Sequence, residues 1–212
     1  MNRKGILVVI SGFSGVGKGT LVRHLMARYK DQYALSISAT TRNPREGEID
    51  GREYFFRKKE EFEALIETER LLEYACYCGN YYGTPKDYVE EQMAQGRDVI
   101  LEIELQGALK IKERYPDTFL VYVMPPDAKT LVERLTERGT ETEEVIKERL
   151  RRAVEESKEV DKYEYMLIND ELDQSVEHLH SLIEVQHNKI NRNLEFISQI
   201  QKDLTEYLKG EQ

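Results

Sequence analysis

A glycine-rich segment between an apolar run and a helical pattern carries the strongest chemical signal in the sequence. It reads Gly12-Phe13-Ser14-Gly15-Val16-Gly17-Lys18-Gly19-Thr20. Glycines at this spacing permit a tight turn whose backbone N–H groups bind phosphate oxygens, and the helix that follows adds the positive end of its dipole. Lys18 would bring its charge to the β- and γ-phosphates of a nucleotide. The segment predicts a P-loop in which Thr20 or a water molecule approaches Mg²⁺, because Gly19 stands where Ser or Thr usually follows the lysine.

Two acids stand at the end of a second apolar run, Val99–Ile103. The two-residue period of a strand puts Glu102 and Glu104 on one side, opposite Ile103. Carboxylates that leave a buried strand beside a phosphate-binding loop can organise Mg²⁺ and an acceptor nucleotide. The alternative interpretation is a pair of ordinary exposed acids at a strand end.

Arginines are concentrated where two predicted helices meet. Arg134 and Arg138 are four residues apart and share a helix face, and Arg149 returns from the second helix. Positive charge brought around a transferred phosphoryl group accounts for most of the catalysis of phosphoryl transfer. The alternative is a solvated face with many salt bridges, which we prefer for Arg151 and Arg152.

The elements that must position these residues alternate along most of the chain. Five apolar runs have the composition of buried strands: Gly5–Ile10, Leu35–Ser38, Val99–Ile103, Phe119–Val123 and Tyr165–Ile168. Helical periodicity fills the gaps: Lys18–Tyr29, Lys86–Gln95, Gln106–Arg114, Ala128–Arg138, Glu141–Val160 and a long stretch after Leu172. The alternation predicts an α/β fold with a parallel sheet flanked by helices.

Two local patterns modify this plan. From about Thr40 to Tyr82 the alternation stops, and strand-like pieces at Glu53–Phe56 and Leu71–Cys76 surround a short helix, Lys59–Glu67. We interpret this segment as an inserted mixed α+β subdomain. Near the arginines, Gly139 suits a helix C-terminus, while Thr140 and Glu143 form a capping-box pattern that begins the next helix. Without repeats or low-complexity linkers, residues 1–212 are predicted to form a single domain.

A seven-residue apolar spacing runs through the C-terminal part of the chain. It picks out Val176, Ile183, Ile190, Ile197 and Leu204, with offset positions Leu179, Gln186, Asn193, Ile200 and Tyr207. The pattern predicts one long helix with an apolar seam, of which residues 190–212 form a helical extension. Its second half either folds over the same protomer or pairs with a second copy. The expected state is therefore monomer or homodimer through this helix.

Composition limits the function classes further. The 212 residues are 40% hydrophobic and can bury a core, but the formal net charge of −9 disfavours nonspecific nucleic-acid binding. Cys76 and Cys78 are too few for a disulfide framework or a four-ligand zinc site. No signal peptide is visible, and no apolar run reaches the ~20 residues of a membrane-spanning helix. We expect a cytoplasmic protein that binds neither nucleic acid nor membrane.

Several motifs together resemble, in order and spacing, the guanylate kinase family. Besides the P-loop they are Ser38-Ala39-Thr40-Thr41-Arg42-Asn43-Pro44-Arg45-Glu46-Gly47-Glu48, then Gly51, Tyr54 and Glu73, then Gly79–Thr84 and Leu101–Gly107. The resemblance runs from about Leu7 to Leu182. It implies an enzyme of the P-loop nucleoside monophosphate kinase type, which transfers the γ-phosphoryl group of ATP to GMP with Mg²⁺ as cofactor, in purine nucleotide metabolism and GMP recycling.

The resemblance also implies an acceptor site, with residues 40–84 as the GMP-binding subregion. The matching positions are Ser38, Arg42, Arg45, Glu48, Tyr54, Glu73, Tyr82, Thr84 and Glu104. The carboxylate of Glu73 could accept both N1–H and the 2-amino group of guanine, a donor pair that adenine lacks. Guanidinium forks and tyrosine hydroxyls suit a dianionic phosphate. Relatives commonly carry Asp at the position of Glu104.

On the ATP side the resemblance places Asn169 near the adenine and Glu102 near the Mg²⁺ shell, through a water molecule. It places the arginines in a lid over residues 134–152. The implied catalytic set is Lys18, Arg42, Arg134, Arg138 and Arg149. The alternative interpretation is that Asn169 and the residue after it simply form a turn, in which Asn and Asp are common.

Two other functions fit parts of the pattern. A guanylate-kinase-like domain can serve as a protein-interaction module, but such modules typically lose P-loop or GMP-site residues that this chain keeps. A kinase of the same fold could act on another nucleoside monophosphate. Glu73 and Ser38 argue against that acceptor.

Overall fold

The computed structural model describes residues 4–77, 79–137 and 142–210. In chain order its strands are β1 Leu7–Gly12, β2 Tyr33–Leu35, β3 Ala39–Thr40, β4 Phe55–Phe56, β5 Leu71–Tyr77, β6 Asn80–Pro85, β7 Asp98–Glu102, β8 Phe119–Met124 and β9 Tyr165–Ile168. The helices are α1 Lys18–Arg28, α2 Lys59–Glu67, α3 Lys86–Ala94, α4 Leu105–Arg114, α5 Ala128–Glu137, α6 Glu143–Ser157, α7 Leu172–His187 and α8 Leu194–Gly210. Short 3₁₀ turns lie at Val160–Lys162 and Ile190–Arg192.

The central sheet is parallel and has β1 in the middle, in the order β2-β7-β1-β8-β9. The two-residue period divides the side chains of its middle strand between two cores. Ile6, Val8 and Ile10 pack with residues of α1, α5, α6 and α7, whereas Leu7 and Val9 pack with residues of α3 and α4. Because both faces are covered, the strand is apolar throughout. The predicted α/β class with helices on both sides of a parallel sheet is confirmed.

A second, mixed sheet forms beside the first, in the order β4-β3-β6-β5. Its small core contains Ala39, Phe62 and Leu71, with α2 supplying Phe62. β3 pairs with β4 in parallel and with β6 antiparallel, and β5 closes the other side of β6. The inserted subdomain predicted around residues 40–82 thus has a hydrophobic core of its own.

Several strand predictions differ from the structure. The strand predicted at Leu35–Ser38 lies instead at Tyr33–Leu35, because after Ser36 the chain crosses to the second sheet and resumes there as β3. β6 was not predicted, since its sequence has no apolar alternation. β7 ends at Glu102, so Glu104 is the N-cap of α4 and not a strand residue. The two-residue period therefore does not determine where Glu104 lies.

The helix that follows the arginine joint begins later than predicted. Its N-cap is Thr142, whose hydroxyl accepts a hydrogen bond from the Val145 N–H at 3.4 Å. Thr142 satisfies an otherwise unpaired N–H of the first turn. The other residues of the predicted joint, Arg138, Gly139, Thr140 and Glu141, lie outside the described residues, as does Cys78.

The prediction of one long C-terminal helix is wrong. α7 ends at His187, and the Asn193 side-chain amide donates to the carbonyl oxygens of His187 at 2.7 Å and Lys189 at 2.8 Å. These bonds occupy carbonyls that a continuing helix would need for its own N–H groups. The first half of the seam packs against the central sheet. Four of its residues are fully buried: Val176, Leu179, Ile183 and Gln186.

A buried carboxylate ties the end of α7 to the sheet. Asp98, at the start of β7, is 1% exposed and accepts hydrogen bonds from the Ile6 backbone N–H at 2.8 Å and from His187 Nε2 at 3.0 Å. The parallel strands put this contact at the opposite end of the sheet from the P-loop. None of the helices in the described ranges is both long and apolar enough to cross a membrane.

Candidate active site

The glycine-rich loop joins the end of β1 to the start of α1 and needs glycine for steric reasons. Gly12 has a φ of +152°, and a Cβ there would lie 2.3 Å from the Val123 carbonyl oxygen. Gly17 has a φ of +93°, and its Cβ would lie 2.7 Å from Asn169 Nδ2. Larger residues would therefore be strained and would displace the neighbouring strand or the asparagine.

Lys18, the first residue of α1, lies back across the loop. Its Nζ donates to the carbonyl oxygens of Gly12 at 2.6 Å and Phe13 at 3.2 Å. The ammonium is thus held at the end of β1 and beside the N-terminus of α1, where a bound anion also gains from the helix dipole.

A cavity of about 510 Å³ opens beside the loop. Its lining combines loop residues with carboxylates and arginines: Gly12, Ser14, Lys18, Glu102, Ile103, Glu104, Val145, Glu148, Arg149, Arg152, Ala153 and Glu156. The loop, the end of β7 and one face of α6 therefore surround a single polar space. Glu102 and Glu104 therefore both lie near the P-loop, as predicted. The predicted reason was wrong, because Glu104 reaches the cavity as the N-cap of α4 and not as a residue of the same strand.

Two carboxylates of the cavity, Glu102 and Glu156, have raised pKa values. Desolvation raises the pKa of Glu102, against the attraction of Lys18 and Arg23. Burial and the neighbouring charge of Glu104 raise the pKa of Glu156, while Lys18 opposes the shift. An acid whose pKa is raised by burial or by a neighbouring negative charge is stabilised in its ionised form by a nearby cation.

Asn169 and Arg134 brace the loop from outside this cavity. Asn169 is 5% exposed, and its Nδ2 donates to the Val16 carbonyl oxygen at 2.8 Å. Arg134 Nη1 donates to the same oxygen at 3.3 Å and to the Asn169 carbonyl oxygen at 2.9 Å. The structure therefore places these two predicted site residues on the loop backbone and not in the cavity lining.

Two of the three arginines of α6, Arg149 and Arg152, face the cavity. Arg149 donates to the Ser14 hydroxyl, and Arg152 lines the same space one turn later. Sequence reasoning assigned Arg152 to a solvated face. Its spacing of three residues from Arg149 was the signal that puts both on one side of a helix.

The two predicted metal ligands differ in position. Glu102 lies beside the start of α1, since a Cβ on Gly19 would be 3.6 Å from its Oε2. The Thr20 hydroxyl accepts a hydrogen bond from Arg23 at 3.2 Å and is not part of the cavity lining. Among the described residues, the carboxylate is therefore better placed than the hydroxyl to hold a cation through water.

The second sheet assembles a carboxylate–hydroxyl pair across two strands. Thr84 on β6 is fully buried, and its hydroxyl donates to Glu73 Oε1 on β5 at 2.7 Å. Burial raises the pKa of Glu73, and the hydrogen bond from Thr84 and the charge of Lys110 oppose the shift. The hydroxyl thus fixes one oxygen of a poorly solvated carboxylate. Ser38, the third residue expected near the base, is half-buried, and its carbonyl oxygen accepts from the Phe55 N–H at 2.9 Å.

An arginine cluster lies on the same sheet. Both oxygens of Glu48 accept from Arg42 Nη2 at 2.9 Å, and the Arg45 backbone N–H donates to Glu48 Oε2 at 2.7 Å. These bonds hold the pKa of Glu48 below its usual value. The guanidinium lies over the ring of Tyr54 at 5.4 Å, and that ring meets Tyr82 edge to face at 6.0 Å. The Arg45 side chain is exposed.

Two threonines that sequence reasoning left without a role hold this cluster in place. The Thr40 hydroxyl donates to the Tyr81 carbonyl oxygen at 2.9 Å and accepts from the Arg42 N–H at 3.2 Å. The Thr41 hydroxyl accepts from the Tyr81 N–H at 2.9 Å. Their position directly before Arg42 was the available signal. The cluster does not line the cavity at the P-loop, so the structure shows the two halves of the predicted site as separate groups.

The raised pKa of Glu73 leads to a prediction about stability. A carboxyl whose pKa is higher in the folded state than its ordinary 4.5 contributes stability that is fully present below that value. This contribution is lost as pH rises through the raised pKa. Glu73→Gln removes the loss, so its melting temperature relative to wild type should increase from pH 4 to pH 7.

Differential scanning calorimetry at four pH values between these limits measures the effect, with about 2–4 °C expected for each kcal/mol. Glu67→Gln, an exposed acid at the end of α2, is the matched control and should show no trend. A difference that shrinks as pH rises would contradict the burial of an ionised Glu73.

Fold and site together define a class of protein. A P-loop at the end of the middle strand of a parallel sheet, facing arginines and carboxylates, is the arrangement of a P-loop phosphotransferase. The second sheet adds a unit with a hydrogen-bonding carboxylate and an arginine cluster. Such a unit is suited to a second substrate that has both N–H donors and a phosphate.

Comparison with known proteins identifies the family. A family model described as guanylate kinase matches residues 4–186. A guanylate kinase from Halalkalibacterium halodurans is 48% identical over 197 residues, covering 93% of this chain and 96% of that protein. One from Bacillus cereus is 44% identical over 207 residues, covering 98% and 99%. The crystal structure of guanylate kinase from Anaplasma phagocytophilum has a TM-score of 0.69 and 26% identity, covering 92% and 94% of the two chains.

The chain belongs to the guanylate kinase family. The predicted family, fold class and kinase activity are thereby confirmed. The assignment of individual site residues, of residues 40–84 to GMP and of residues 134–152 to a lid stays a prediction.

Proposed function

We propose that this protein transfers the γ-phosphoryl group of ATP to GMP, giving ADP and GDP, and that it also accepts dGMP. It acts in the cytoplasm, in purine nucleotide metabolism and GMP recycling. The observation that carries the proposal is the pair of Glu73 and Thr84, a poorly solvated carboxylate oriented on a sheet separate from the one that ends in the P-loop.

This pair supports guanine as the acceptor base. An ionised Glu73 offers two acceptor oxygens, and guanine presents N1–H and its 2-amino group side by side. Thr84 occupies one lone pair of Oε1 and leaves the carboxylate able to accept both donors. Adenine, cytosine and uracil lack this pair of donors and would leave the carboxylate unsatisfied. The partially buried position makes that loss costly, because little water remains to replace the missing bonds.

The arginine cluster supports a phosphate site beside the base. Glu48 fixes the fork of Arg42, and the exposed Arg45 can add a second guanidinium. The hydroxyls of Tyr54 and Tyr82 donate to phosphate without adding charge. Closure of the second sheet toward the P-loop would bring this phosphate to the cavity that contains Glu104.

On the donor side, Lys18 and the loop N–H groups hold the ATP phosphates. Arg149 and Arg152 place positive charge on the opposite wall of the cavity, where charge develops during transfer. Arg134 and Asn169 act through the loop backbone that they brace. Arg138, a further member of the predicted catalytic set, lies outside the described residues.

The cavity fits Mg²⁺ because its donor set contains carboxylate oxygens. Burial raises the pKa of Glu102, and burial with the charge of Glu104 raises the pKa of Glu156. Glu102 would hold the ion through water, and the ion would neutralise charge on the β- and γ-phosphates. Glu104 and Glu156 would gain from the same neutralisation.

Residues 134–152 form the lid in this proposal, and residues 40–84 close with it over the two nucleotides. The contact of Arg149 with Ser14 shows that α6 already reaches the loop. Hydrogen exchange of 142–152 and of the second sheet should slow when ATP and GMP analogues are both bound. Unchanged exchange in both segments would contradict the closure.

A panel of acceptors tests the function directly. ADP release is measured with ATP, Mg²⁺ and each of GMP, dGMP, AMP, UMP and CMP. Turnover with GMP and dGMP at least about 100-fold above that with the other three is expected. Comparable turnover with AMP would overturn the assignment of the acceptor.

Arg152 provides a further test of the cavity. Arg152→Ala should lower kcat/KM for ATP by about ten-fold, or about 1.4 kcal/mol of transition-state stabilisation. Arg151→Ala is the matched control, because Arg151 is exposed and is not part of the cavity lining. We expect steady-state kinetics of that control within about two-fold of wild type. Equal effects of the two substitutions on kcat/KM would contradict a role of Arg152 in the cavity and would support its placement on a solvated helix face.

A further inference from the structure

The last helix, α8, extends away from the rest of the described chain. Every residue with a described side chain from Leu194 to Lys209 is exposed except Asp203, which is half-buried. Its apolar side chains retain between 40% and 77% exposure: Leu194, Phe196, Ile197, Ile200, Leu204, Tyr207 and Leu208. Nothing in the described chain covers these residues, so the helix does not fold over its own protomer.

The apolar residues of α8 form one continuous face. At 100° per residue they occupy an arc of about 160°, centred near Ile197 and Leu204. The opposite side carries most of the charged residues: Glu195, Lys202, Glu206 and Lys209. This is the pattern of a helix that packs against an apolar partner along its whole length.

Hydrogen bonds hold the residues just before α8 in place, so the exposed face of the helix has a defined direction. The Asn193 side chain caps carbonyls of the preceding turn. Arg192 donates to the Asp117 carbonyl oxygen, and Asn191 Nδ2 donates to Asp117 Oδ1 at 3.2 Å. Two copies can therefore present the same face to each other repeatedly, as a symmetric interface requires.

The size of the face matches that of a dimer interface. Seven apolar side chains at these exposures offer on the order of 100 Å² each, or roughly 700 Å² per copy. A stable interface of standard size buries about 800 Å² per partner. A solitary helix of 17 residues is only marginally stable in water, so burial of this face would also stabilise α8 itself.

Charge favours a second copy of this chain over a lipid surface. The whole chain has a net charge of −9, but α8 has two lysines and three acids and is nearly neutral, so little charge repulsion opposes the pairing of two copies along this helix. A helix that binds anionic lipid carries a basic polar face, which α8 lacks. The family model ends at residue 186, whereas the Bacillus cereus relative aligns over 98% of the chain and so reaches α8.

We propose that α8 pairs with α8 of a second copy about a two-fold axis, making the protein a homodimer. The break between α7 and α8 separates two roles of the seven-residue spacing. The first half of the spacing seals the central sheet, and the second half forms the interface. The proposal does not depend on the identity of the phosphoryl acceptor.

Sedimentation velocity of the full chain tests this inference. Wild type at about 20 µM should sediment as a species of about 50 kDa, twice the protomer mass of 24.9 kDa. The double variant Ile197→Asp/Leu204→Asp should sediment as a monomer, with weaker helical circular dichroism. Ser198→Asp/Thr205→Asp adds the same charges one residue later, outside the apolar arc, and should stay dimeric.

Other results would overturn the proposal. A monomeric wild type, an assembly larger than a dimer, or a dimer that persists in Ile197→Asp/Leu204→Asp each contradicts an α8 pair. So does a monomer that cosediments with phosphatidylglycerol vesicles through the same two residues, since the face would then be a membrane anchor. Kinase turnover of both variants should equal that of wild type, which shows that the fold is intact.

Discussion

Replacing Lys18 by methionine should reduce kcat by at least about 10³-fold, equivalent to about 4 kcal/mol, while the protein stays folded. The ammonium is held at the mouth of the loop by the carbonyl oxygens of Gly12 and Phe13. Methionine has a similar length but no charge and no donor, so the phosphates lose a cation where negative charge develops. Steady-state kinetics with ATP and GMP measures the loss.

The control for Lys18→Met is Lys129→Met on α5, because the side chain of Lys129 is 85% exposed and pairs only with Glu133 among the described residues. Its kinetics should match wild type. The melting temperature of Lys18→Met should fall by no more than a few degrees, since the ammonium lies outside the apolar core. A variant that keeps more than about a tenth of the wild-type rate would contradict the role assigned to this lysine.

The second large effect is expected from Glu73→Gln, which should lower kcat/KM for GMP by about 10²–10³-fold. Glutamine can still accept the hydrogen bond from Thr84, so the strand pair is preserved. Its amide NH₂ then faces the N–H donors of guanine and cannot bond to them. Because the side chain changes by only one group, the loss of kcat/KM reports on recognition of the base.

An acceptor that lacks only the 2-amino group makes this experiment sharper. Inosine monophosphate keeps N1–H, so wild type should prefer GMP to it by at least about ten-fold, the value of a hydrogen bond to a charged group. In Glu73→Gln that preference should fall to within about three-fold. Glu67→Gln should behave as wild type. A preference that survives in Glu73→Gln would place guanine recognition elsewhere.

Much of the fold follows from local sequence. The helix predicted at Lys59–Glu67 has the observed bounds, and α3 differs from its prediction by one residue. The apolar run before the glycines indicated a strand buried on both faces, and its side chains do divide between two cores. The glycines at 12 and 17 were also readable, because the backbone there needs positive φ and leaves no space for a Cβ.

Other features depend on contacts that no local pattern contains. β6 has few apolar residues, and it is a strand because β3 and β5 hydrogen-bond to its two sides. The seven-residue spacing continues past His187, but the Asn193 amide bonds to carbonyls there and ends the helix. The three-residue spacing puts Arg152 on the same side of α6 as Arg149, but only the packing of α6 beside the P-loop decides that this side faces the cavity.

The sequence by itself predicted the chemistry of this protein: a phosphate-binding loop, a carboxylate that the family resemblance assigns to guanine, and arginines for phosphate. These depend on residue type and short spacing, which the chain carries wherever it folds. The tertiary structure decided which groups meet. It paired Glu73 with Thr84 and Arg42 with Glu48, placed Arg134 on the loop backbone and left the apolar face of α8 exposed. Such pairings depend on which distant segments pack together, and the burial of apolar surface over the whole chain determines that packing.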